Sequence, residues 1–327
     1  MGPGALLYNA LMPGQQPEDG PSYQAAFRSG QLKERAELAA VILESCGLCP
    51  RRCGVNRTRG EKGYCRAGAR PMVSAYNPHF GEEAPLVGLH GSGTIFMTHS
   101  NLRCNFCQNY DISHLGHGRE VEAGRLAEMM LELQAIGCHN INFVTPTHFL
   151  PQILMAVLLA AGQGLAVPLV YNTGGFDAVE TLRLLDGVFD IYMPDLKFMD
   201  PAPAEEFCEA PDYPQAAQAA ILEMHRQVGD LVLDEQGIAR RGLLVRHLVL
   251  PEGLAGTRRA MHFLAAKVSP DSYVNIMDQY RPCGEVTPRS PLSRRIIPRE
   301  YEEAVRAAEE EGLSRLDERE ARRFRCF

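Results

Sequence analysis

Two groups of cysteines carry the strongest chemical signal in this 327-residue chain. Cys104 and Cys107 are separated by two residues, a spacing that can place both sulfurs on one metal centre. Taken alone, such a pair equally makes half a zinc site or a redox couple. Cys46, Cys49, Cys53 and Cys65 form the second group, spaced x2, x3 and x11. Four soft ligands close one tetrahedral site, and both zinc and an additional iron–sulfur cluster fit it. The remaining thiols, Cys138, Cys208, Cys283 and Cys326, stand alone and read as small buried hydrophobes or idle surface groups.

Polar residues at the ends of apolar runs form a second tier. Asp195 and Lys197 flank Leu196, so both point to the same side of an extended chain. They read either as a structural ion pair or as ligands for a polar guest. Arg246 and His247 are adjacent, so one of them faces inward and the other outward. Asn172, Gly174 and Gly175 suit a close backbone approach or a plain tight turn. Asn275, Asp278, Gln279 and Tyr280 are unusually polar for the end of a buried strand, which suggests an opening that holds substrate or water.

The elements that must position these residues are legible in the hydrophobic pattern. Six short apolar runs, Thr94–His99, Ile141–Pro146, Leu169–Gly174, Asp190–Leu196, Leu244–Leu250 and Tyr273–Tyr280, read as fully buried strands. The segments between them carry helical spacing. Leu126, Met129, Leu133 and Ile136 share one face before Gly137, and Pro298 opens a last helix, with Tyr301, Val305 and Ala308 on its apolar side and Gly312 closing it. Six parallel strands are too few for a closed eightfold barrel. The expected architecture is α/β, an open partial (β/α)6 barrel over residues 91–327 with ligands at the carboxyl ends of its strands. Residues 1–90 are expected to form an arm and the four-cysteine region, whose loop is too poor in apolar residues to fold around a core of its own. Its Arg51, Arg52, Arg57 and Arg59 are expected at a solvated rim or at a partner contact.

Composition narrows the function classes. With 45% hydrophobic and 22% charged residues, the chain has globular make-up. Its net charge of −7 and scattered basic residues give no stripe for nucleic acid. The apolar stretch from Ile153 to Tyr171 is broken by Gly162, Gly164 and Pro168, so it reads as helix, turn and strand rather than a membrane span. No signal-peptide pattern opens the chain, and a cytoplasmic location is expected.

The run Asn101-Leu102-Arg103-Cys104-Asn105-Phe106-Cys107-Gln108-Asn109, leaving the first barrel strand, resembles the cluster loop of the radical S-adenosylmethionine (radical SAM) superfamily, which normally reads CxxxCxxC. Further resemblance to pyruvate formate-lyase-activating-enzyme-like proteins lies in Thr145–His148, Tyr171–Gly175, Asp190–Lys197, Val245–Pro251 and Asn275–Tyr280. The resemblance implies a [4Fe–4S] cluster that cleaves S-adenosylmethionine to a 5′-deoxyadenosyl radical. It also implies an electron donor and a protein substrate as partners. It places Phe106, Asn109, His148, Asn172, Gly174, Gly175, Asp195, Lys197, Arg246 and His247 around the cofactors, with Asp195 on the ribose hydroxyls and Lys197 on the methionine carboxylate. Thr147 and His148 stand where relatives carry a Gly-Gly-Glu motif, which is missing.

Ser100 stands where the first cluster cysteine is expected. A serine hydroxyl is far less acidic than a thiol and is a poor ligand for iron–sulfur centres. Three readings follow: an absent or labile cluster, a working cluster completed by Ser100 or His99, or another metal. Three functions stay open accordingly. They are a radical SAM enzyme, a cluster-poor module that binds S-adenosylmethionine, nucleoside or a partner without turnover, and a zinc-stabilised interaction protein.

Overall fold

The computed structural model describes residues 20–317, and Cys326 and residues 1–19 of the expected arm lie outside them. Nine strands pair among the described residues: β1 (Met72–His79), β2 (Ser92–Met97), β3 (Arg119–Glu120), β4 (Ile141–Val144), β5 (Leu169–Thr173), β6 (Ile191–Pro194), β7 (Val232–Leu233), β8 (Ala239–Leu248) and β9 (Tyr273–Met277). The six expected strands are β2, β4, β5, β6, β8 and β9, each parallel to the next in that order. Their hydrogen-bonded path does not return from β9 to β2, so the barrel is partial and open. Antiparallel β1 covers the free edge of β2, and β3 extends it. β1 lies ahead of residue 91, so the sheet begins within the stretch expected to stand apart.

Helices supply the outer layer: α1 (Ser22–Arg28), α2 (Gln31–Val41), α3 (Ala84–Val87), α4 (Tyr110–Ser113), α5 (Ala123–Ile136), α6 (Leu150–Gly162), α7 (Val179–Arg183), α8 (Pro201–Cys208), α9 (Tyr213–Val228), α10 (Thr257–Phe263) and α11 (Pro298–Glu310). In α5, Leu126, Met129 and Leu133 are buried as the spacing predicts, and Gly137 ends the helix at φ 99°. Ile136 is instead 60% exposed, because it lies on the last turn beyond the sheet. The stretch at Ile153–Tyr171 divides into α6 and β5, and no helix among the described residues is long and apolar enough to cross a membrane.

Register sorts the inner face of the sheet into layers. Thr94, Asn142, Val170 and Ile191 lie side by side, as do Leu244 and Tyr273. Leu86 of α3 packs into this layer with Val170, Ile191, Met193, Leu244 and Tyr273, plugging the barrel interior. One pleat higher come Phe96, Val144, Asn172 and Met193, with Arg246 beside Asn275. The upper layer brings in the charged Arg246 and the amides of Asn172 and Asn275. The outward-facing Phe143, Tyr171, Tyr192 and Val245 belong to the larger core beneath the helices.

Candidate functional site

The loop after β2 opens with two residues in unusual conformations, His99 (φ 66°) and Arg103 (φ 53°). Ser100 explains the turn between them. Its Oγ accepts from the N–H groups of Leu102 (3.1 Å) and Arg103 (3.4 Å), a local cap of the kind serine favours. The hydroxyl is therefore engaged by backbone. Cys104 follows, 8% exposed, and its thiol is drawn below the usual range by the Cys208 thiol and by Lys197, against the effect of burial. Burial pushes the Cys107 thiol up, with Cys104 adding to the rise and a Ser113 hydroxyl opposing it. Cys107 N donates to Cys104 O at 3.1 Å, so the two cysteines share one turn of the loop.

Facing them is a buried charge network. Asp195 receives Arg246 Nε at 2.8 Å and Lys197 Nζ at 2.5 Å. Burial raises the carboxyl, but the two cations outweigh it and hold Asp195 below its ordinary value. Burial likewise works against the charge of Lys197, yet Asp195 and then Cys104 pull it above the usual lysine range. Arg246 Nη2 also donates to Asn172 Oδ1 (2.8 Å), while Asn275 Nδ2 donates to Glu83 Oε1 (3.0 Å). Burial pushes Glu83 up to about 7, with nearby Arg246 opposing the rise. Beside this network, buried Glu83 Oε2 and Asn275 Oδ1 have no hydrogen-bond partner in the protein, and neither do Asn142 Oδ1 and Nδ2 in the layer below. Leaving a buried polar atom unpaired costs about 1–3 kcal/mol, so these atoms call for water or another polar partner.

The two loops that frame the opening are fastened by Tyr213 of α9. Its hydroxyl lies 2.8 Å from Asp195 O and 3.0 Å from Gly174 O, and it accepts from Lys197 N at 2.9 Å. Gly175 passes so close that a Cβ there would stand 2.2 Å from Asp195 O, at φ +82°. Glycine is required at that crossing.

His247 turns to the outer face, with its ring nitrogens 2.7 Å from Leu196 O and 2.9 Å from Thr257 Oγ1. His148 is buried in the turn that follows β4, its Nε2 2.7 Å from Thr98 O, and Thr147 donates to the buried Asp177. Phe106 packs against Phe198 (6.0 Å) and Tyr280 (6.2 Å). Asn109 is exposed just ahead of α4. Glu83 and Cys208 were not anticipated: Glu83 belongs to a loop ahead of the first parallel strand, and Cys208 lies in no motif.

The four-cysteine element is held by the barrel. Cys46, Cys49, Cys53, Cys65 and His148 line one small cavity, although among the described residues no three His, Cys, Asp or Glu side chains are already gathered at metal-binding geometry. Burial pushes the Cys49 thiol up to about 12 and raises that of Cys65. The expected rim of arginines needs correction at two positions. Arg57 is 1% exposed and donates to His148 O at 2.6 Å. Arg51 lies over the Tyr64 ring at 3.8 Å and donates to Asn101 O (3.1 Å) and Cys208 O (2.9 Å). Both turn inward because the coreless loop needs anchors. Arg52 and Arg59 are exposed as expected.

No family model matches the chain. Over 290 residues it is 30% identical to the uncharacterized protein MJ0674 of Methanocaldococcus jannaschii, covering 86% of this chain and 79% of that protein. A solved structure of a radical SAM methyltransferase from Sphaerobacter thermophilus aligns with a TM-score of 0.45 and 14% identity over 67% of this chain and 64% of its own, so the chain spans less than two thirds of that protein.

Proposed function

We propose, for a chain that belongs to the same family as the uncharacterized Methanocaldococcus jannaschii protein, a radical SAM-type function: S-adenosylmethionine binds at the carboxyl ends of the strands beside a [4Fe–4S] cluster on the loop 100–109. One observation carries this reading. A Cβ built on Gly174 would meet Leu102 Cδ1 at 3.1 Å and Lys197 Cε at 3.7 Å, so the loop 100–109 and the buried charges lie against the same turn at the carboxyl ends of the strands.

The residues present suit a zwitterionic nucleoside. A carboxylate has about four acceptor sites, and Asp195 uses two of them on Arg246 and Lys197, which leaves room for ribose hydroxyls. Lys197 has three donors on its ammonium and can turn one towards a carboxylate. Asn142, Glu83 and Asn275 offer the unpaired atoms described above. The cluster, when bound to Cys104 and Cys107, would supply the electron that cleaves the sulfonium. Such chemistry needs an external electron donor, and a protein glycine is the substrate that the resemblance favours. For Cys46, Cys49, Cys53 and Cys65 we read a closed structural metal site, zinc or iron–sulfur, that rigidifies a loop without a core.

Ser100 favours a second reading, because its hydroxyl is committed to Leu102 and Arg103. The loop then lacks a ligand, and the chain binds S-adenosylmethionine or a nucleoside without turnover. Equilibrium dialysis with S-adenosylmethionine tests the pocket common to both. Asp195→Asn and Lys197→Met should each weaken binding at least tenfold, about 1.4 kcal/mol. Unchanged affinity in both variants would reject the pocket.

A further inference from the structure

We infer that Cys208 supplies the third thiolate of the loop cluster, standing in for the cysteine that Ser100 replaces. The inference rests on the reading of residues 100–109 as a cluster cradle, and it deepens that reading by completing the ligand set.

Cys208 is 104 residues from Cys104 in sequence, yet its Sγ lies 3.1 Å from Cys104 Sγ. It closes α8 and is 1% exposed. The approach is built from both sides. Asn105 N, inside the loop, donates to Phe207 O at 2.9 Å. The Phe207 and Phe106 rings meet edge to face at 6.5 Å. Arg51 grips both partners at once, donating to Asn101 O in the loop (3.1 Å) and to Cys208 O at the helix end (2.9 Å). Glu209 then reverses the chain at φ 50°, a conformation that a non-glycine residue holds only when its surroundings enforce it.

Ser100, by contrast, is turned away from ligation, because its hydroxyl caps the loop's own N–H groups. Cys107 follows within one turn, its N–H donating to Cys104 O at 3.1 Å. Cys283 also reaches the loop, its Sγ donating to Phe106 O at 3.1 Å, but it is the Cys208 sulfur that touches a loop sulfur, so Cys104, Cys107 and Cys208 are the set assigned here. Three cysteine ligands leave one iron of a four-iron cluster open for substrate. A cysteine side chain carries its sulfur on a single rotatable bond, so Cys208 can part from Cys104 by rotation about χ1 as iron enters, losing its thiol proton on binding. A search for CxxxCxxC spacing could not find this residue, because the ligand comes from another βα unit.

The test is anaerobic reconstitution followed by iron and sulfide analysis and electron paramagnetic resonance of the reduced protein. Loop iron is taken as the difference from Cys104→Ser/Cys107→Ser, which discounts metal held at the four amino-terminal cysteines. The natural chain should hold about four loop irons, Cys208→Ser should lose them, and Ser100→Cys/Cys208→Ser should regain them, which also shows that the loss was not misfolding. Full loop iron in Cys208→Ser would overturn the inference while leaving the cluster reading intact. So would a natural chain without loop iron beside a loaded Ser100→Cys/Cys208→Ser. Loop iron in neither the natural chain nor Ser100→Cys would defeat the cluster reading itself, and this inference with it.

Discussion

Asp195 and Arg246 meet where β6 and β8 end, paired across the backbone and joined through Nε and Oδ1 at 2.8 Å. Both side chains are largely withdrawn from solvent, and Asp195 is shared with Lys197, so removing Arg246 leaves the carboxylate one cation and strips Asn172 of its donor. Arg246→Met should cost about 1–3 kcal/mol in urea unfolding. Asp195→Leu/Arg246→Met leaves the Lys197 ammonium without its carboxylate, so it should be less stable than Arg246→Met and fail to bind S-adenosylmethionine. A double variant that binds normally would show the pair to be structural only.

Gly175 gives a sharper local test. Alanine there faces both the positive φ and a contact of 2.2 Å with Asp195 O. Gly175→Ala should destabilise the protein by at least about 1–3 kcal/mol and displace Asp195 from Tyr213. Thermal unfolding measures the first effect and S-adenosylmethionine affinity the second.

How much of this was legible beforehand depends on the range of each interaction. The six parallel strands showed in the sequence because burial on both faces leaves an uninterrupted apolar run. β1 did not, because an antiparallel edge strand of Met72-Val-Ser-Ala-Tyr-Asn-Pro-His79 carries a weak pattern. The alternation at Asp195 and Lys197 put both on one side of the strand end, as their common ion pair shows. Spacing also required one of Arg246 and His247 to face out, without saying which. Glu83 and Cys208 were silent, since what brings them to the site is the folding of distant segments onto the sheet rather than any local spacing.

The two buried histidines should make the fold sensitive to acid. Burial holds His247 down to about 4 and His148 to about 3. Their folded values lie below the unfolded value of about 6.5, so the stability involved is present above pH 6.5 and is lost as pH falls towards 4. For His247 the loss is about 3 kcal/mol across that window. His247→Asn should flatten the dependence of urea midpoint on pH between 6.5 and 4, and an unaltered slope would reject this assignment.

Arg51 is expected to transmit the state of the four-cysteine element to the loop 100–109. Arg51→Ala removes its bonds to Asn101 and Cys208, so amide exchange in residues 100–109 and at the end of α8 should quicken at least tenfold, with β5 and β6 unchanged. Stripping metal from the four cysteines with a chelator should produce the same pattern. Exchange confined to residues 46–65 would mean that the element stabilises only itself.

Cleavage of S-adenosylmethionine beside an iron cluster, as proposed for this chain, is read most directly from its product. Anaerobically reconstituted protein, mixed with dithionite and S-adenosylmethionine, should yield at least one equivalent of 5′-deoxyadenosine per chain, and Cys104→Ala should yield none. A natural chain that carries loop iron and binds S-adenosylmethionine, yet forms no 5′-deoxyadenosine, would contradict the account.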